Sequence, residues 1–92
     1  MNELLDKIQA LRIQKGWDQT DTPEILAKSI VVEAAELLEC YMNEDVDLLA
    51  VKSELADVLM YALSLCRDLD LDPVEVVLGK FQNIHDRYPD KP

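Results

Sequence analysis

Apolar residues recur along this chain at three- and four-residue intervals, and nowhere do they alternate with polar ones over the length of a strand. The pattern predicts four helices. The first runs from Asn2 to Lys15, with Leu5, Ile8, Leu11 and Ile13 as its apolar residues, and Gly16 closes it. Thr22-Pro23-Glu24 reads as an N-cap, a proline at the first helical position and an acid in the first turn. A second helix therefore starts there and continues to about Met42. Asn43-Glu44-Asp45 is a polar break and the next cap, and a third helix runs from about Val46 to Asp68. Asp72-Pro73-Val74-Glu75 has capping-box form, so a fourth helix runs on to about Arg87, where Tyr88-Pro89 ends it. There is no linker, low-complexity segment or internal repeat. Residues 1–92 read as a single all-α domain, a four-helix bundle.

At about 100° per residue, Leu26, Ile30, Leu37 and Cys40 fall on the same face of the second helix as Glu33 and Glu36. On the third helix, Val51, Val58, Tyr61 and Leu65 share a face with Glu54 and Asp57. Each central helix thus carries two carboxylates inside its apolar stripe, whereas Glu24 and Glu39 lie on the opposite side. The backs are apolar too: Val31, Ala35 and Leu38 oppose Glu33, and Leu59 and Leu63 oppose Glu54. Helices apolar on two sides are buried on two sides. The expectation is a homo-oligomer, a homodimer or homotetramer. Tyr41, Met42 and Tyr61 read as core residues.

Composition narrows the function. The apolar share of 49% excludes an acidic disordered tail. The net charge of -10, from 19 acids against 9 bases, argues against a nucleic-acid polymer or an anionic membrane surface as partner. Cys40 and Cys66 are far apart and read as small buried hydrophobes. The N-terminal stretch lacks the apolar region of a signal peptide, and Val58–Cys66 is far short of the roughly 20 residues a spanning helix needs. A cytoplasmic protein is expected.

Glu33-x-x-Glu36 and Glu54-x-x-Asp57 are pairs at i, i+3, which sets Cβ atoms about 5–6 Å apart on one helix face. If the two helices pack antiparallel, four carboxylates converge. Such anions repel one another and resist desolvation unless a hard cation sits among them. Oxygen ligands without His or Cys point to Mg2+, or Mn2+, rather than zinc. A single ExxE is usually just a solvated face; two pairs inside apolar stripes are harder to explain that way. A di-iron carboxylate bundle would need Glu-x-x-His on paired helices, and His85, the only histidine, has Gln82 three residues before it.

The segments Leu26–Glu39, Glu54–Val58, Lys80–Asn83 and Arg87–Pro89 resemble those of the MazG-like, all-α nucleoside triphosphate pyrophosphohydrolases, and the likeness covers nearly the whole chain. The signature of that family is EExxE on one helix and ExxD on the next. Val32 stands here at the first acid, while the ExxE core and the ExxD are intact. The resemblance implies that Glu33, Glu36, Glu54 and Asp57 hold Mg2+, and that a nucleoside triphosphate is hydrolysed to the monophosphate and pyrophosphate. Glu36 is the candidate general base. Lys80 is implied near phosphate, with Lys28 and Arg87 as further cations; Trp17 would stack on the base and Asn83 hydrogen-bond it. Asp21 and Ile25 depart from the dCTP-type pattern, which often has His and Asn there. The competing reading is a non-catalytic acidic helical adaptor or regulatory dimer, which Val32 favours.

Overall fold

Capping side chains decide where three of the six helices begin. The computed structural model describes all of residues 1–92, with no strand. Helix α1 spans Asn2–Lys15 and ends on Gly16, whose φ of 76° is left-handed. A Cβ would be strained in that conformation, and the Gly16 N–H closes on the Arg12 and Ile13 carbonyls. A short helix α2, Trp17–Thr20, follows where a plain loop was expected. Thr22 Oγ1 accepts from the Ile25 N–H at 3.2 Å and opens α3, Pro23–Glu39. Asp47, rather than the Asn43–Asp45 stretch, caps α4, Leu48–Asp68, accepting from the Leu49 N–H at 3.0 Å. Asp72 accepts from the Val74 N–H at 2.9 Å at the head of α5, Pro73–Gly79. The reciprocal bond of a capping box, from Glu75, is not made. A last helix α6 spans Phe81–Arg87.

Two boundaries differ from expectation for local reasons. After Glu39 the N–H groups of Cys40, Tyr41 and Met42 bond three residues back rather than four, so the helix tightens and stops short of Met42. The expected fourth helix is divided at Lys80. Its N–H bonds the Val77 carbonyl three residues back, beside Gly79, a weak helix former.

The antiparallel α3–α4 pair forms the centre, and α1 packs along α4. Ile8, Leu26 and Val51 are the buried apolar residues, all on the stripes expected to face inward. Arg12, not Ile13, takes the remaining buried position on α1. Helices α5 and α6 pack on each other and stand off as an arm. The consequence is a large surface. At 7315 Å² it exceeds by nearly 2,000 Å² the roughly 5,400 Å² expected for a folded monomer of this mass. The radius of gyration, 15.8 Å, exceeds the value of about 12 Å for a compact domain of this length. Much of the excess is apolar: Val31 is 69% exposed and Leu59 51%, on the two backs picked out by the angular pattern. Tyr41 and Met42 are exposed rather than core, while Tyr61 is half-buried. Both cysteines are free and half-buried. No helix is long and apolar enough to cross a membrane.

Candidate active site

Carboxylate oxygens of Glu33 and Glu36 on α3 and Glu54 on α4 lie within 4.8 Å of one another. The i, i+3 spacing aligns the first two, and the antiparallel pairing brings Glu54 opposite them. Glu33 Oε2 and Glu54 Oε2 are shielded from solvent and receive no hydrogen bond. Packing three carboxylates together disfavours their charges. The Glu33 carboxyl is pushed up to about 7, chiefly by the adjoining Glu36 carboxyl, then by desolvation and by the charge of Asp57. Glu54 is also raised, first by desolvation and then by Glu36. An all-oxygen donor set with two shielded, unbonded oxygens fits a hard divalent cation.

Asp57 stands apart from this triple but close enough for its charge to raise Glu33 and Glu54. It lines a cavity of about 160 Å³ between α1, α2, α3 and α4, walled by Ile8, Leu11, Leu26, Met60, Trp17 and Tyr61, with Arg12, Asp21 and Ser64. On the other side of the triple, an open hollow of about 450 Å³ is lined by Glu36, Glu39, Asp45, Asp47 and Glu54, with Cys40, Asn43 and Ala50 and no basic residue. A polyphosphate would meet strong repulsion there without a cation.

The structure joins Trp17 to this region and leaves the expected cations out. Lys28 pairs with Glu24 at 3.4 Å on the exposed face of α3. Lys80, Asn83 and Arg87 stand on the arm, away from the acids of their own chain. Asn83 Oδ1 accepts from Arg87 Nη1 at 3.4 Å, and the Arg87 guanidinium lies 5.3 Å from the Tyr88 ring centre. Of the other cavity residues, Asp21 enters the sequence reading only as a departure from the dCTP-type pattern, Tyr61 as a core residue, and Arg12 not at all. Arg12 had a signal, since it follows Ile8 by four residues on the same buried face.

The raised carboxyls set a pH dependence. A group whose folded-state pKa exceeds its unfolded value stabilises the fold below the unfolded pKa, and that stability is lost as pH rises through the folded one. For Glu33 the window runs from 4.5 to about 7. Without divalent cations, the melting temperature should fall between pH 5 and pH 8. Millimolar Mg2+ should remove most of that fall, because it binds the ionised cluster. A melting temperature that climbs steadily over this interval in chelator would contradict the arrangement of acids.

Comparison with known proteins shows the family. The sequence profile of the MazG nucleotide pyrophosphohydrolase domain matches residues 21–91. A pyrophosphatase of known structure from Archaeoglobus fulgidus superimposes with a TM-score of 0.85 at 37% identity, over 98% of this chain and 93% of that one. No curated protein matches the chain. With most of its length matched by the family profile and nearly all of it by the archaeal structure, the chain belongs to the MazG nucleotide pyrophosphohydrolases, hydrolases that act on acid anhydrides.

Proposed function

We propose that the protein hydrolyses nucleoside triphosphates, (d)NTP to (d)NMP and pyrophosphate, and so clears surplus or non-standard nucleotides in the cytoplasm. The observation that carries the reading is the convergence of Glu33, Glu36 and Glu54, with shielded and unbonded oxygens, beside an aromatic-walled cavity. These three, with Asp57 from the cavity wall, would hold Mg2+, or Mn2+ in its place. The ion would neutralise polyphosphate charge and acidify a bound water. Glu36, on the rim of the open hollow, accepts the proton of the attacking water. Trp17 offers a face for the base. Lys28 needs only to leave a weak exposed pair with Glu24 to meet a phosphate. Val32 weakens the catalytic reading only slightly, because the remaining acids still converge. The test is a panel of ribo- and deoxyribonucleoside triphosphates with Mg2+. Pyrophosphate should appear from at least one of them and stop in chelator; orthophosphate alone, or no product, would refute the reading.

A homo-oligomer belongs to the same proposal. The surplus surface matches what a standard interface buries, about 800 Å² per partner, about twice over. Val31, Leu38 and Leu59 supply an apolar face, and the arm carries Val77, Leu78 and Phe81 in the open. Lys80, Asn83 and Arg87 ride on that arm, so a second copy covering α3 and α4 is a route by which they reach acids of another chain. Leu59→Glu should convert the assembly to monomers in analytical ultracentrifugation, whereas a wild type sedimenting as a monomer at micromolar concentration would exclude the assembly.

A further inference from the structure

The cavity of about 160 Å³ lies on a seam. Ile8, Leu11 and Trp17, from α1 and α2, form one wall, and Leu26, Asp57 and Tyr61, from α3 and α4, form the other. Very little joins residues 1–21 to the rest of the molecule across it. Every backbone hydrogen bond of this segment closes within the segment. Its only side-chain hydrogen bonds to residues 22–92 are the two from Arg12 to Asp68, at 2.9 and 2.8 Å. Its only buried apolar residue is Ile8, and Arg12, 4% exposed, is the other residue buried there.

The ends of the segment suit a piece that moves as a unit. Gly16, at a left-handed φ of 76°, closes α1 and leads straight into α2, where the Gln19 N–H bonds the Gly16 carbonyl at 3.3 Å. Asp21 then leaves the helix, extended at φ -89° and ψ 106°, and Thr22 begins α3 with its own cap. Between two helices that each hold their own hydrogen bonds, Asp21 is where a change of backbone angle turns the segment at least cost. A segment held by one apolar side chain and one ion pair opens at lower free energy than the packed α3–α4 pair.

We propose that residues 1–21 form a hinged cover over the cavity, turning at Asp21 and latched by the Arg12–Asp68 pair. Closed, the cover holds Trp17 on the cavity wall. Open, it parts the two walls and lets a ligand of ring size pass between them. The latch works through Arg12. With Asp68 in place the closed cover buries a paired guanidinium; without it the closed cover buries an unpaired one, which water reaches only when the cover opens. The cover follows from the packing of the chain itself and stands whether or not the adjoining acids hydrolyse a triphosphate.

The test is amide hydrogen exchange of the whole protein without ligand. Once detached, a helix of 14 residues is marginal in water, so its amides exchange when the cover opens. The hydrogen-bonded amides between Ile8 and Asp21 should share one opening equilibrium. They should exchange at least about tenfold faster than the slowest amides of α3 and α4, each relative to its free-peptide rate, and respond less to low urea because less surface is exposed. Asp68→Ala should speed them by about a hundredfold or more, the shift in an opening equilibrium that a stranded buried charge produces. Arg12→Met, which needs no partner, should keep them within about tenfold of wild type. In the wild type alone, a common rate and urea response for α1, α3 and α4 would mean that α1 opens only with the whole molecule, and would overturn the cover. Rates graded inward from Met1 would be fraying and would overturn it too. Unchanged exchange of these amides in Asp68→Ala would overturn the latch.

Discussion

Replacing Glu36 with glutamine should abolish pyrophosphate release, by at least a hundredfold, and leave the helices intact. Glu36 takes part in everything the cluster does. It is one of the three converging carboxylates, it lines the open hollow, and it is the main cause of the raised Glu33 carboxyl. An amide in its place removes a charge the cation needs and the proton acceptor the water needs. The same change should relieve repulsion in the metal-free protein. Glu36→Gln should therefore melt no lower than wild type in chelator, show a flatter dependence between pH 5 and pH 8, and gain less from added Mg2+. Loss of activity without loss of stability separates a working site from a structural one, because a merely structural acid would cost stability when removed. Glu24→Gln, on the exposed face of the same helix, is the control and should retain wild-type turnover. Asp57→Asn should also lose most activity, by removing the acid that links cluster and cavity. Full turnover in both Glu36→Gln and Asp57→Asn would dismiss this cluster as the catalytic centre.

What could be read from the residues in order depends on how local the deciding forces are. Thr22 and Asp72 cap where expected, because a cap is settled by the residue and the next two or three N–H groups. The convergence of Glu33, Glu36 and Glu54 followed from helical angle alone once α3 and α4 were paired. On α1, hydrophobicity was a poor guide: Ile13 is exposed and Arg12 is inside, because Asp68, fifty-six residues away, neutralises it. No window of local sequence contains that pairing. Asp57 shares a helix face with Glu54, yet it lines the cavity rather than joining the triple, since one turn of helix moves it towards Trp17 and Tyr61. Lys80, Asn83 and Arg87 sit on a segment with almost no packing in its own chain. Their setting depends on surfaces outside that chain, which periodicity within it cannot report.

Removing the carboxylate of Asp68 should destabilise the protein more than any single change on its surface. Arg12 Nη1 donates to Asp68 Oδ1 at 2.9 Å and Nη2 to Oδ2 at 2.8 Å, a two-pronged bond that ties α1 to the end of α4. The charges hold each other: the Arg12 guanidinium keeps the Asp68 carboxyl below its ordinary value, and Asp68 raises Arg12. Their burial differs, with side-chain exposure of 5% for Arg12 and 24% for Asp68. Asp68→Ala therefore strands a guanidinium that water can barely reach, with Gln9 as its one remaining partner. Stranding a buried charge costs about 3–5 kcal/mol, and the partial exposure of Asp68 places this case near the lower end. In a domain of this size that is a fall in melting temperature of roughly 12 °C or more. Arg12→Met removes the charge that needs a partner and leaves a carboxylate that water can solvate, so it should cost less. The double variant Arg12→Met with Asp68→Leu should recover much of the loss, because apolar groups of similar volume can replace an ion pair with little change in stability. If Asp68→Ala melted within 2–3 °C of wild type, roughly half a kcal/mol by the same scaling, the pair would not be what fastens α1 to α4.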